Sequence, residues 1–173
     1  MATKTRGALN SLSAKTTFTR DEANAKLTIE RVFPAVRSRV WQAMTDPNLL
    51  DQWWGPKPWW VKTVHMDFCV GGYWLYSMNG PNGEQHFGRM DYLEIEPERR
   101  FKSNDAFTDA EGNVNEALPR QAIDTSFIAE GEQTRVVTVI QYASAQDMNR
   151  IFEMGFREGL TMAHDQLEAL LGA

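Results

Sequence analysis

Few side chains in this sequence are placed to do chemistry, and the strongest arrangement is aromatic. Trp53, Trp54, Trp59 and Trp60 cluster around Gly55-Pro56-Lys57-Pro58, and Trp74 and Tyr76 follow on a strand pattern. Indole and phenol rings offer flat apolar surface with one polar edge, so the cluster reads either as core packing or as the lip of a ligand cavity. Trp74, Tyr76 and Met78 alternate along one strand face, which is assigned to the cavity. His65, His86 and His164 are scattered over two strands and the polar side of a helix. None has a His, Cys or carboxylate at metal-ligand spacing, so no metal site and no cofactor are expected. Ordinary surface or hydrogen-bonded histidine accounts for all three. His86 alone has a second reading: turned inward and paired with Asp105 of a later strand, it would form an acid–base dyad. Cys69 has no base beside it, and neither a Gly-x-Ser-x-Gly elbow nor a His-Glu-x-x-His pattern occurs. Gly71-Gly72 and the Gly80 to Gly83 stretch are turn glycines without phosphate-loop spacing.

The elements that must position these residues follow from periodicity. Lys26 to Phe33 alternates apolar and polar residues as a half-buried strand, and Pro34 ends it. A short helix over Ala35 to Thr45 comes next. Asp46-Pro47 then supplies a cap and a first-turn proline for a second helix, Asn48 to Trp54. Six strands are expected after it: Val61 to Phe68, Tyr73 to Met78, Gln85 to Ile95, Phe101 to Phe107, Ala122 to Glu130 and Arg135 to Tyr142. Turn signals such as Asn79-Gly80-Pro81-Asn82-Gly83 separate them, which favours an antiparallel meander.

Ser144 to Leu171 reads as one long amphipathic helix of about 40 Å, started by a Ser144 cap. Its stripe carries Met148, Ile151, Phe152, Gly155, Phe156, Gly159, Met162, Ala163, Leu167 and Leu170, and His164 and Glu168 fall on the opposite side. Gly155 and Gly159 each cost roughly 1 kcal/mol against Ala, which suggests close approach to the sheet or room left for something else. Gln166 is polar within the stripe, either bonded to a strand backbone or facing a cavity. A curved sheet wrapped on one such helix encloses space, and function is sought there.

The chain has 173 residues, 42% hydrophobic and 24% charged, which fits one domain with a substantial core. A net charge of −5 argues against a nucleic-acid surface. A lone cysteine fits a reducing, cytoplasmic setting, and no apolar run is long enough to insert in a membrane. Residues 1–20 carry Lys4, Arg6, Lys15 and Arg20 without an acid and are expected to be a flexible basic tail before a single domain over 21–173.

Several local patterns together resemble the domain named after the activator of Hsp90 ATPase. They are Arg31-Val32-Phe33 before Pro34, Val40-Trp41, Thr45-Asp46-Pro47, Trp53-Trp54-Gly55-Pro56, Asp67 with Gly71-Gly72, Gly80-Pro81-Asn82-Gly83, Leu93 to Pro97, Thr134 to Thr138, and Met154-Gly155-Phe156. The resemblance covers roughly residues 24–171. Phe68-Cys69-Val70 departs from it, where relatives often carry a basic residue and a proline. It implies an α+β helix-grip fold of the START and Bet v 1-like (SRPBCC, polyketide cyclase-related) superfamily. That fold has a curved antiparallel sheet of about seven strands on a long C-terminal helix, with two short helices after the first strand.

That superfamily includes lipid carriers, hormone receptors, aromatic polyketide cyclases and co-chaperone domains, so the fold transfers no activity. The first reading is a protein that binds a small hydrophobic or aromatic molecule between sheet and helix. Its lining is expected from Trp54, Trp74, Tyr76, Met78, His86, Asp105, Phe107 and Phe127, with Phe152, Gly155, Phe156, Gly159, Met162 and Gln166 from the helix. The second reading is an enzyme of the cyclase or hydrolase type in the same cavity, with His86 and Asp105 as catalytic candidates. The third, a chaperone ATPase-stimulating partner, has the least support, because residues 1–20 are far too short for the co-chaperone's separate N-terminal domain. A homodimer is compatible with all three.

Overall fold

Alternation of inward and outward side chains builds the sheet strand by strand. A computed structural model describes residues 15–172, and its strands are β1 (Thr17–Asp21), β2 (Lys26–Phe33), β3 (Trp60–Met66), β4 (Tyr73–Asn79), β5 (Gln85–Glu96), β6 (Arg100–Thr108), β7 (Gln121–Glu130) and β8 (Gln133–Gln141). They form one open antiparallel sheet in the order β1-β2-β8-β7-β6-β5-β4-β3. Breaks in register at Thr63/His65 and at Tyr92/Glu94 mark bulges, which bend and twist a sheet locally.

Helices α1 (Arg37–Thr45) and α2 (Pro47–Trp53) carry the chain from β2 across to the far edge at β3. Asp46 caps α2 by accepting from the Asn48 and Leu49 amides at 2.8 and 3.4 Å, and Pro47 opens the first turn. Helices α3 (Ala145–Glu153) and α4 (Phe156–Gly172) close the fold. The Ser144 hydroxyl accepts from the Asp147 amide at 3.1 Å, so α3 starts where the cap signal placed it. This is the expected helix-grip arrangement, with eight strands where about seven were expected.

Two expectations change. The single long helix is two, broken at Gly155, whose φ of +86° is a left-handed conformation that glycine adopts without the Cβ penalty. The break shifts the buried face of α4 by about one residue. Ala163, His164, Leu167 and Leu171 turn inward, while Met162 stands 45% exposed. Leu170 is only half-buried.

The expected basic tail also reaches too far. Residues 1–14 lie outside the described part, but Thr17–Asp21 pairs with Lys26–Glu30 as the edge strand β1. Thr16 just before it is buried. Its hydroxyl accepts from Arg31 Nη1 at 2.9 Å and lies 3.2 Å from His164 Nδ1. Arg31 has a fully buried side chain and pairs with Asp165 at 2.7 Å and Glu168 at 3.0 Å, so charge holds β2, the N-terminal segment and α4 together.

The apolar interior forms two clusters. One packs α1, α2 and α4 on the middle of the sheet around Phe33, Trp53, Trp74, Tyr92 and Leu167. The other gathers Leu27, Ile29, Ile140, Met148 and Ile151 beneath α3. Among the described residues, no helix is long and apolar enough to cross a membrane.

Candidate functional site

The space between the two clusters is a cavity of about 310 Å³ bounded by the concave sheet face, α3 and α4. Its strand walls are Tyr76 and Met78 of β4, Gly88 and Arg89 of β5, Asp105 to Phe107 of β6, and Gln121 of β7. The helical wall holds Ile151, Phe156, Gly159, Leu160 and Ala163, with Met154 and Gly155 at the break between helices. Trp54, Pro56 and Pro119 complete the rim. A smaller inner chamber of about 90 Å³ continues under Trp74, Met90, Thr125, Thr138 and His164. Trp54, Asp105, Gln121, Phe156 and Leu160 line both, so they form the waist between them.

Alternation on two strands explains the polar waist. Phe101, Ser103, Asp105 and Phe107 share the inner face of β6, and Asp105 stands opposite Met90 on one side and Gln121 on the other. Burial pushes the Asp105 carboxyl up to about 8, the Ser103 hydroxyl at 3.3 Å offsets this a little, and the charge of Asp91 adds to it. Asp105 itself is half-buried and lines both chambers. The Gln121 amide donates to the Tyr142 hydroxyl at 3.0 Å. Tyr76 is held well above the ordinary phenol range by burial and by Asp105. Its ring stacks on Trp74 with centroids 4.2 Å apart and meets Trp54 edge-on at 6.3 Å.

His164 closes the inner chamber. Burial and then the Arg31 charge depress its pKa to about 3, so the ring is neutral near pH 7. Because Arg31 donates to the Thr16 oxygen, the Thr16 hydrogen is free to donate to Nδ1.

The structure brings together Trp54, Tyr76, Met78, Asp105, Phe107, Gly155, Phe156 and Gly159 around the main cavity, and Trp74 around the inner one. Five expected residues lie elsewhere. His86 is exposed and stacks on Trp59 with centroids 5.9 Å apart. It pairs in register with Met78, whereas Asp105 pairs with Met90 four residues along β5, so about 13 Å of strand separates the proposed dyad. Phe127 is buried against Trp41 and Phe101. Phe152 packs edge-on to Phe18 in the cluster under α3. Met162 faces outward because the helix break moved the stripe.

Gln166 works as a clamp. Its amide donates to Trp53 O and Gly55 O, both at 2.8 Å, and accepts from the Lys57 amide at 3.0 Å. It therefore fastens α4 to the loop that carries Pro56, on the cavity rim. Of the tryptophan cluster, only Trp54 lines the cavity. Trp53 is core, donating to Ala43 O at 2.8 Å, and Trp60 is 55% exposed. Gln121 and Arg89 went unrecognised: the first begins a strand expected to start at Ala122, and the second has no neighbouring motif. Cys69 is exposed, and a hydrogen bond with Asp67 raises its pKa, so its thiolate is scarce near pH 7. Among the described residues, no three His, Cys, Asp or Glu side chains gather as a metal site would require.

A family model described as Activator of Hsp90 ATPase homolog 1-like protein matches residues 34–172. The chain belongs to this family. Solved structures of similar proteins bear out the fold. A Mycobacterium smegmatis protein is 33% identical, with 90% of this chain and 96% of that one covered and a TM-score of 0.84. An Arthrobacter aurescens protein is 29% identical, with 90% and 91% covered and a TM-score of 0.84. A Staphylococcus epidermidis protein at 22% identity shares the fold, with 90% and 93% covered and a TM-score of 0.79. No curated protein matches the chain.

Proposed function

We propose that this protein binds a small hydrophobic or aromatic molecule between its sheet and its C-terminal helices. The observation that carries the reading is the cavity itself. About 310 Å³ is left open between two well-packed clusters and is walled mainly by Trp54, Tyr76, Met78, Phe107, Phe156 and Leu160. No side chain among the described residues fills it, and Gly159 keeps one wall thin: a Cβ there would meet Pro56 Cγ, at 3.7 Å. Burying apolar ligand surface against such walls contributes about 25 cal/mol per Å², and Asp105 and Gln121 supply the polar groups that fix orientation.

The test is native mass spectrometry of freshly purified protein, followed by denaturation and identification of what is released, together with uptake of an apolar fluorophore. Wild type is expected to take up the probe, and Gly159→Trp, which plugs the mouth, to lose uptake while keeping its circular dichroism. Equal uptake by both would overturn the reading.

A second reading rests on Asp105 alone. A carboxyl that titrates near neutrality on a cavity wall suits a general acid or base. Enzymatic use of the cavity would appear as turnover lost in Asp105→Asn but kept in His86→Ala, since His86 lies outside the cavity.

A further inference from the structure

The waist of the cavity offers the Asp105 carboxyl and the Gln121 amide, with no free cation among the described residues. Among the described residues, the Asp105 carboxyl has one hydrogen-bond partner, the Ser103 hydroxyl at 3.3 Å. Its strand neighbour Gln121 donates one amide hydrogen to the Tyr142 hydroxyl, and among the described residues nothing donates to its amide oxygen. Other groups around Asp105 are the Asp91 carboxylate and the phenols of Tyr76, Tyr92 and Tyr142, none of them cationic. Among the described residues, Arg89 is the one cation that lines the cavity. Asp91 holds its Nε at 3.0 Å and its Nη2 at 2.8 Å, and the guanidinium lies 3.9 Å over the Tyr73 ring, so its charge is already balanced. Next to Asp105, Trp54 and Tyr76 present aromatic surface on the route from the mouth. A half-buried carboxyl and an amide oxygen beside an aromatic wall, with no cation to balance a carboxylate, favour an incoming cation.

We propose that the ligand carries a protonated amine, which Asp105 and Gln121 receive at the waist while its apolar or aromatic body fills the outer chamber. This rests on the cavity reading above and narrows it. In the empty cavity Asp105 is largely protonated at pH 7 because burial disfavours its charge. When an ammonium group arrives, the carboxyl releases its proton to solvent, the carboxylate and the ammonium pair, and no other bond changes. An anionic ligand meets no free cation at the waist among the described residues.

The experiment is calorimetric titration with three probes that share one ring: 2-(2-naphthyl)ethylamine, 2-(2-naphthyl)ethanol and 2-naphthylacetate. At pH 8 the amine is expected to bind wild type about tenfold or more tighter than the alcohol, with the carboxylate weakest. Proton release should show as a binding enthalpy that depends on the buffer's ionisation enthalpy. In Asp105→Asn, checked for folding by its melting curve, the amine and the alcohol should bind alike. Equal binding of amine and alcohol to wild type overturns the inference and leaves the cavity reading standing, because an apolar body is still accepted. The same holds if the carboxylate binds best, or if the amine preference survives in Asp105→Asn. Binding of none of the three by wild type overturns both.

Discussion

The phenol of Tyr76 lies across Gly88, its partner in register on β5. A Cβ at position 88 would come within 2.6 Å of the Tyr76 Cζ and Oη atoms. The ring cannot slide away freely, because it is stacked on Trp74 and edged by Trp54. Gly88→Ala is therefore expected to push the phenol into the cavity and to cost about 1–3 kcal/mol through overpacking. Denaturant unfolding, read beside uptake of an apolar probe, checks both effects. Unchanged stability together with unchanged uptake would mean that the ring is not fixed as described.

Gln166 makes three hydrogen bonds to the backbone at the end of α2 and in the loop that leads to β3. Gln166→Ala strips these partners from Trp53 O, Gly55 O and the Lys57 amide, where part of the lost bonding is regained from water. The expected cost is about 1–3 kcal/mol. Because Pro56 lines the rim, hydrogen exchange should rise over residues 55–59 in this variant more than over β7 and β8. Uniform acceleration across the sheet would point instead to global destabilisation.

Local signals made much of this fold legible. Asp46-Pro47 and Ser144 are caps whose hydrogen bonds the structure contains, and alternation placed β2 and the six later strands within a residue or two at most of their ends. Gly155 was legible as costly but not as a break: a helical stripe predicts continuity, and only the left-handed backbone shows why glycine stands there. That single residue misassigned Met162 and His164, since a phase error of one position turns a side chain by about 100°. β1 was obscured by its basic composition, although Thr17-Phe18-Thr19 alternates. Asp105 was legible as a polar residue on an inner strand face. Its isolation from His86 depends on register between β4, β5 and β6, which no local pattern encodes.

The pH dependence of stability should carry the signature of Asp105. Its folded pKa, about 8, lies above the ordinary carboxylate value of 3.8. Between these values the folded state binds more proton than the unfolded chain, so this group's stabilising contribution is complete below pH 4 and is lost as pH rises to about 8. The slope is at most about 1.4 kcal/mol per pH unit. Asp105→Asn keeps the acceptor for Ser103 and cannot ionise. Its melting temperature relative to wild type is expected to climb from pH 5 to pH 8 and then level off. Asp91, Tyr76, Tyr92 and Tyr142 face the site in both proteins and cancel in the comparison. Parallel melting curves across this range would show that Asp105 ionises in the fold as easily as in solution.

His164 should shape the acid side with the opposite sign. Its folded pKa of about 3 lies below the ordinary 6.5, through burial first and the Arg31 charge second. Below pH 6.5 the unfolded chain takes up a proton that the folded ring refuses, so stability falls with pH down to about 3, again by at most about 1.4 kcal/mol per unit. Glu168, where burial is outweighed by hydrogen bonds and charge from Lys15 and Arg31 that hold it below the ordinary carboxylate range, adds to the same fall over a lower window. His164→Gln retains an acceptor for Thr16 but has no proton to refuse. At pH 7 the variant should be less stable, because a ring set edge-on to Phe33 at 5.5 Å is lost. From pH 7 to pH 4 its melting temperature should nevertheless drop less than that of wild type, so the two curves converge. If they diverge instead, the ring is protonated within the fold, and the neutral Thr16-bonded state assigned to it is wrong.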